Sequence, residues 1–260
     1  MSSDKYVRLR QICLAATDIS KTEAIFNDIL GLEVCHRAKL TDFGLENIMY
    51  AINGCFLEIV APTKPETAVD RFLARNRGQG GYMAIFDCSD VDRHKSLAQE
   101  AGVSPIFERR NSKADLLQLN PKETGATMME FDHHYGDDTL LGHYEWAGDS
   151  WHKYVSTDVT GEILGIEITS PDAAARAKLW GHICDRPVNL TAQGPEITLD
   201  HGTLQFVDTA GQGRDLFTAI DLTAQDPQAM KSRAKTAGCP ITNAGFKFCG
   251  VEFRLTSAAS

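Results

Sequence analysis

The chain has 260 residues, enough for one large core or two modest ones. Its formal net charge of −9 argues against a general nucleic-acid binder, which needs a basic footprint. No stretch is apolar for long enough to span a bilayer, and Met1-Ser2-Ser3-Asp4-Lys5 lacks a signal-peptide core, so a cytoplasmic protein with no membrane partner is expected.

The elements follow in order. Leu9 to Ala16 reads as a mostly buried strand. Asp18 or Ser20 then N-caps a helix, with Glu23 placed for a capping box after Ser20. Ile25, Phe26, Ile29 and Leu30 form its apolar face, and Gly31 is suited to end it. Leu32 to Ala38 and Asn47 to Ile52 read as strands, Asn53-Gly54 as a hairpin turn, and Cys55 to Val60 as the closing strand, with Phe56, Glu58 and Val60 on one face. After Pro62 and Pro65, Glu66 to Arg75 looks like a connecting helix.

The pattern then repeats. Tyr82 to Cys88 is a strand, Asp92 to Ala101 a helix ended by Gly102, and Pro105 to Glu108, Asp115 to Leu119 and Thr127 to Phe131 are strands. Asp18 and Asp90 correspond, which pairs Gln11 with Met83, and each unit's last strand carries one acidic residue among apolar ones, Glu58 and Glu130. Residues 136 to 160 fit neither unit and are read as a connector that packs Trp146 and Trp151. Beyond it, Ile163 to Thr169, a helix started by Ser170-Pro171-Asp172, Glu196 to Leu199 and Thr203 to Val207 make a third unit. Asp215 to Leu222, a helix from Asp226-Pro227 to near Gly238, and Phe246 to Leu255 make a fourth. The seven cysteines are odd in number and lack CxxC spacing, which points to buried free thiols rather than disulfides or a zinc knuckle.

The expected fold class is therefore α+β: four β-α-β-β-β units as two pairs, residues 1–135 and 161–260 about a 136–160 connector. Here the residues reach a family. Ile29-Leu30-Gly31-Leu32-Glu33-Val34, Phe56-Leu57-Glu58-Ile59-Val60, Arg77-Gly78-Gln79-Gly80 and Asn120-Pro121-Lys122-Glu123-Thr124-Gly125 before Glu130 resemble the vicinal oxygen chelate superfamily, the glyoxalase/bleomycin-resistance/dioxygenase fold. Within it the first half is most similar to glyoxalase-like and methylmalonyl-CoA-epimerase-like members. The resemblance covers residues 8 to 135 by motif and 161 to 260 by pattern alone.

The resemblance implies that each pair forms a cup-like mixed sheet with helices outside. It also implies a divalent metal held by one residue from the first and last strand of each unit. Carried over, those positions are Gln11, Glu58, Met83 and Glu130. Gln11, Glu58 and Glu130 are oxygen ligands suited to manganese, magnesium or iron rather than zinc, whereas Met83 stands where the family usually has His. The bland readings are a Gln satisfied by neighbouring strands and a Met in the pocket wall. The two glutamates are harder to explain that way, because a carboxylate on an apolar strand face is costly unless paired or ligating. Without metal, they become an acid–base pair.

Asn47, Asn120 and His134 are further pocket candidates beside Met83. Asp132 and His134 alternate with Glu130, although His133-His134 also suits a solvated turn. Arg37, Arg109 and Arg110 could grip an anionic substrate. In the second pair the equivalent positions, Gly165, Gln205, Ala219 and Glu252, cannot make such a metal site.

The leading expectation is a metal-assisted lyase or isomerase acting on a small oxo or hydroxy compound, with a thioester suggested by analogy. Glu58 or Glu130 would move a proton next to its carbonyl. The alternative is a metal-free protein of the same fold that sequesters a small molecule. A dioxygenase is weaker, because its two-His-one-carboxylate site is missing. Either a monomer or a homodimer would suit the fold.

Overall fold

A computed structural model describes residues 5–76 and 79–258; Arg77 and Gly78 of the motif above lie outside the described residues. The α+β architecture of repeated modules is borne out: strands β1 to β8 belong to one mixed sheet and β9 to β15 to another. The first module is β1 (Val7–Ala16), α1 (Ile19–Leu30), β2 (His36–Leu40), β3 (Leu45–Ile52) and β4 (Cys55–Pro62). After α2 (Ala68–Arg75), the second is β5 (Gln79–Cys88), α3 (Val91–Glu100), β6 (Pro105–Arg110), β7 (Ala114–Leu119), a one-turn α4 (Pro121–Thr124) and β8 (Met128–His134).

Local chemistry sets the boundaries. Asp18, not Ser20, caps α1, accepting from the Lys21 N–H; Asp90 does the same for α3 through Arg93. Gly31 ends α1 with φ +64, where a side chain would be strained. Leu32, which sequence pattern assigned to a strand, is instead a buried residue just past the cap, and β2 begins only at His36. Its apolar character serves the helix end. Asn53 and Gly54 both have positive φ, +46 and +87, the requirement of a tight two-residue hairpin.

The third module is β9 (Thr160–Ser170), α5 (Ala173–Cys184), β10 (Val188–Thr191), β11 (Gly194–Thr198) and β12 (Thr203–Asp208). Asp172 rather than Ser170 caps α5. The fourth is β13 (Leu216–Ala224), α6 (Pro227–Thr236), β14 (Gly245–Phe248) and β15 (Val251–Ser257). Ahead of β14 the fourth module has an isolated bridge, Ile241 to Phe246, in place of a full strand.

Compactness divides the chain into two units. One, here the Glu58 unit, comprises Gln11–Tyr82, Trp146–Leu164 and Thr218–Ser260. The other, the Glu130 unit, comprises Met1–Arg10, Met83–Glu145 and Gly165–Phe217. Each therefore joins most of one module from the first pair to most of one from the second.

In the Glu58 unit, β1 runs parallel to β4, which pairs antiparallel with β3, and β3 with β2. Phe26 of α1 packs against Tyr50 of β3 and against Phe248 and Phe253 of the fourth module, at centroid distances of 6.0, 4.8 and 5.6 Å. Such aromatic burial supplies much of the unit's stability. Connector residue Trp151 is buried edge-on to Phe56 at 5.1 Å.

In the Glu130 unit, β5 runs parallel to β8, β8 pairs antiparallel with β7, and β7 with β6. Phe86, Phe131 and Trp180 fill its core, and the Trp180 indole N–H donates to the Thr124 carbonyl at 2.8 Å. All seven cysteines are free, and six are buried.

Candidate functional site

In the Glu58 unit the alternation of β4 puts Glu58 beside Phe56 on one face, opposite Met49 of β3 and level with Cys13 of β1. Glu58 is only 7% exposed. Burying an ionised carboxylate costs several kcal/mol, and a hydrogen bond to a charged group returns roughly 1.5–3 kcal/mol. The flanking strands provide two such bonds. The Gln11 Nε2 amide donates to Glu58 Oε2 at 2.8 Å, and the Asn47 Nδ2 amide donates to Glu58 Oε1 at 2.6 Å. Asn47 is held in turn, its Oδ1 accepting from the Ala38 N–H at 3.0 Å. Burial raises the Glu58 pKa, and the hydrogen bonds from Asn47, the Cys13 thiol and Gln11 oppose that rise. Gln11, Asn47 and Glu58 are thus brought together by the strand register.

The Glu130 unit repeats part of this plan. Glu130 is 4% exposed on β8, opposite Gln118 of β7, whose Nε2 donates to Glu130 Oε2 at 2.6 Å. Asn47 and Gln118 hold corresponding strands of the two modules. The repeat could have revealed Gln118, because it is the one amide in the apolar run Leu116-Leu117-Gln118-Leu119.

Further along β8 the environment changes. His133-His134 does not form a solvated turn: β8 extends to His134, which is 2% exposed. Its Nδ1 accepts the Glu145 N–H at 3.1 Å, which puts the ring proton on Nε2, 3.9 Å from Asp132 Oδ2. Its ring lies against the buried Tyr144 ring at 4.3 Å. Burial, aided by Arg10, His143 and His133, lowers the His134 pKa well below the usual value. The Arg10 guanidinium, also buried, bonds Asp87 at 3.0 Å and lies 5.0 Å from the Tyr144 ring centre; Arg8 reaches the same Asp87 oxygen at 3.5 Å. Pattern reading missed Arg10, Asp87 and Tyr144. Charged residues inside β1 and β5 were the available signal for the first two.

Among the other candidates, Met83 is buried in β5 in register with Met128, and Asn120 caps α4 through the Lys122 N–H. Arg37 pairs with Glu23, and Arg110 with Asp92 and Asp115. In the second pair, Gly165 lies against a strand so closely that a Cβ there would be 2.4 Å from the Thr203 carbonyl oxygen. The Gln205 amide donates to the Pro195 and Phe206 carbonyls.

The donor set does not fit a resident hard dication. Both oxygens of Glu58 accept amide N–H bonds, and Met83 presents a thioether. Among the described residues no group of three or more His, Cys, Asp or Glu side chains is placed to hold a metal ion.

Comparison with known proteins adds a family. The sequence profile of the glyoxalase-like domain matches residues 12–184, from β1 through the connector to the end of α5. Mouse mitochondrial methylmalonyl-CoA epimerase is 20% identical over 137 residues, covering 49% of this chain and 74% of the relative. The human enzyme is 20% identical over 128 residues, covering 48% and 73%. Among solved structures, a Streptomyces coelicolor methylmalonyl-CoA epimerase variant in complex with 2-nitronate-propionyl-CoA aligns at a TM-score of 0.46 and 26% identity, covering 50% of this chain and 99% of that one. The Mycobacterium tuberculosis epimerase aligns at 0.46 and 22%, covering 52% and 94%.

Proposed function

The chain belongs to the glyoxalase-like domain family, and from that premise we propose that it is an isomerase that moves a proton next to a carbonyl, with an acyl thioester as substrate. The observation that carries the reading is Glu58, a buried carboxylate gripped by two amides on a strand of the matched domain. The sequence relatives named above are epimerases of a CoA thioester, which favours an isomerase over a lyase.

The chemistry needs little equipment. A carboxylate oxygen takes the proton from the carbon beside the carbonyl, and the C–H electron pair becomes an enolate with its charge on the carbonyl oxygen. Return of the proton re-forms the C–H bond, and return to the opposite face inverts the centre. Glu58 and Glu130 are the candidate proton carriers. The donors around Glu58, two amide N–H groups, favour a carboxylate over a carboxylate–cation pair. The pairing of modules along the chain, 1–135 and 161–260 about the connector, belongs to the same proposal, as does a cytoplasmic location; among the described residues no helix is long and apolar enough to cross a membrane.

The test is proton exchange. Methylmalonyl-CoA, and then other short acyl thioesters and oxo acids, would be incubated with the protein in deuterated water and followed by mass spectrometry. Deuterium entering beside the carbonyl, and lost in Glu58→Gln, is the expected result. Retention of an unexchanged ligand would favour the sequestering alternative.

A further inference from the structure

Glu58 stands where the family resemblance puts a metal ligand, yet the groups aimed at it are N–H donors. The Asn47 amide has a fixed sense: its oxygen accepts the Ala38 N–H, which leaves its nitrogen to face Glu58. Turning it over to offer oxygen to a cation would set nitrogen against the Ala38 N–H. Gln11 approaches the other carboxylate oxygen from β1. A cation beside Glu58 would therefore meet the positive ends of two amide dipoles. The corresponding first-strand position of the second module is Met83, whose neutral thioether is a poor ligand for a hard ion.

We propose that Glu58 works without a resident cation, and that Asn47 and Gln11 are positioning residues that hold its carboxylate by N–H donation. The proposal rests on the reading of the chain as a proton-transferring isomerase. Two donors from separate strands fix both oxygens in one orientation and provide the positive potential that favours the ionised, proton-accepting form. The proton that leaves the substrate carbon forms an O–H bond on Glu58, the electron pair stays on the substrate as enolate, and its return restores both. No co-reactant is consumed.

The test uses the full chain purified without chelator or nickel resin. Metal content is measured, melting temperature is followed as manganese is added, and the Glu58 carboxyl is titrated by carbon NMR, its signal assigned by loss in Glu58→Gln. The expected results are substoichiometric metal and no manganese-dependent rise in melting temperature. An upward shift of the Glu58 titration is expected in Gln11→Met and in Asn47→Leu, because each removes an N–H donor from one carboxylate oxygen. Gln11→Met nearly keeps the side-chain volume and carries the test if Asn47→Leu does not fold. Stoichiometric metal that disappears in Glu58→Gln would overturn the proposal. So would a Glu58 titration at the same pH in wild type and in both donor-free variants. Upward shifts in a protein that exchanges no substrate proton would sustain the amide clamp and remove the isomerase reading instead.

Discussion

Glu58 and Glu130 hold the same place in two copies of one module, and their surroundings differ. Glu58 accepts from neutral amides on two flanking strands, dipoles that favour its ionised form. Glu130 accepts from the Gln118 amide of β7 and lies on a strand that continues into Asp132 and His134, in a unit where Arg10, Asp87 and Tyr144 are also buried. A carboxylate balanced by dipoles can gain and lose a proton without breaking an ion pair. A region tied together by a buried guanidinium resists change, because removing one charge strands another. On the proposed isomerase reading, Glu58 is therefore expected to carry more of the proton transfer than Glu130, and the charged cluster to serve stability.

The largest expected effect is on exchange. Glu58→Gln should slow proton exchange by about a hundredfold to ten-thousandfold, the usual contribution of a positioned acid or base. Glu130→Gln should slow it less. Equal losses in the two variants, in the same deuterium assay, would erase the distinction.

Stability should show the reverse order. Arg10→Met removes the nearer guanidinium from buried Asp87 and leaves it the more distant Arg8, and should cost roughly 3 kcal/mol by urea denaturation. Gln11→Met removes one of the donors to Glu58 and should cost about 1–2 kcal/mol. If Gln11→Met proved the more damaging, the amide cluster rather than the ion pair would be the structural centre.

Glu58 and the two buried histidines His134 and His94 predict opposite pH dependences. The Glu58 pKa is raised on folding, so its contribution is fully present below the unfolded carboxylate value of about 4.3 and is lost as pH rises through the folded value. Glu58→Gln should therefore gain on wild type as pH increases. The His134 and His94 pKa values are lowered by burial, so their contribution is present above the unfolded value of about 6.5 and is lost as pH falls below it. Denaturation curves from pH 5 to 8 should show wild type weakening on the acid side, with a shallower slope in His134→Gln.

Much of this arrangement was legible in the sequence, and the physical reasons divide the rest. The repeat, the caps at Asp18 and Gly31 and the acidic residue in each closing strand are local signals, and the modules follow from them. Which neighbours those acids meet depends on strand register, which no local pattern contains. The family resemblance reads Gln11 as an oxygen ligand, whereas in the structure its amide N–H points to Glu58. His134 reads as a pocket candidate on alternation, and its pairing with His133 also suits a solvated turn, because polar pairs usually end strands. Tyr144 and Glu145, arriving from the connector, bury it instead. The additional strand β10 has no strong signal, since Val188-Asn189-Leu190-Thr191 lies at a sheet edge with Leu190 exposed.

A last, local effect compares the ends of α1 and α3. Gly31 and Gly102 follow equivalent helices with φ +64 and +77, and both favour glycine on backbone grounds. A Cβ on Gly102 would meet nothing within 4 Å, so Gly102→Ala should cost only the left-handed strain, about 1–2 kcal/mol. A Cβ on Gly31 would lie 2.6 Å from the Val159 side chain of the connector, beside the bond from the Thr160 hydroxyl to the Leu30 carbonyl. Gly31→Ala should therefore cost more, and Val159→Ala should bring its cost down toward that of Gly102→Ala. A double-mutant cycle measures the coupling, and additive costs would mean that the connector does not pack on the end of α1 in solution.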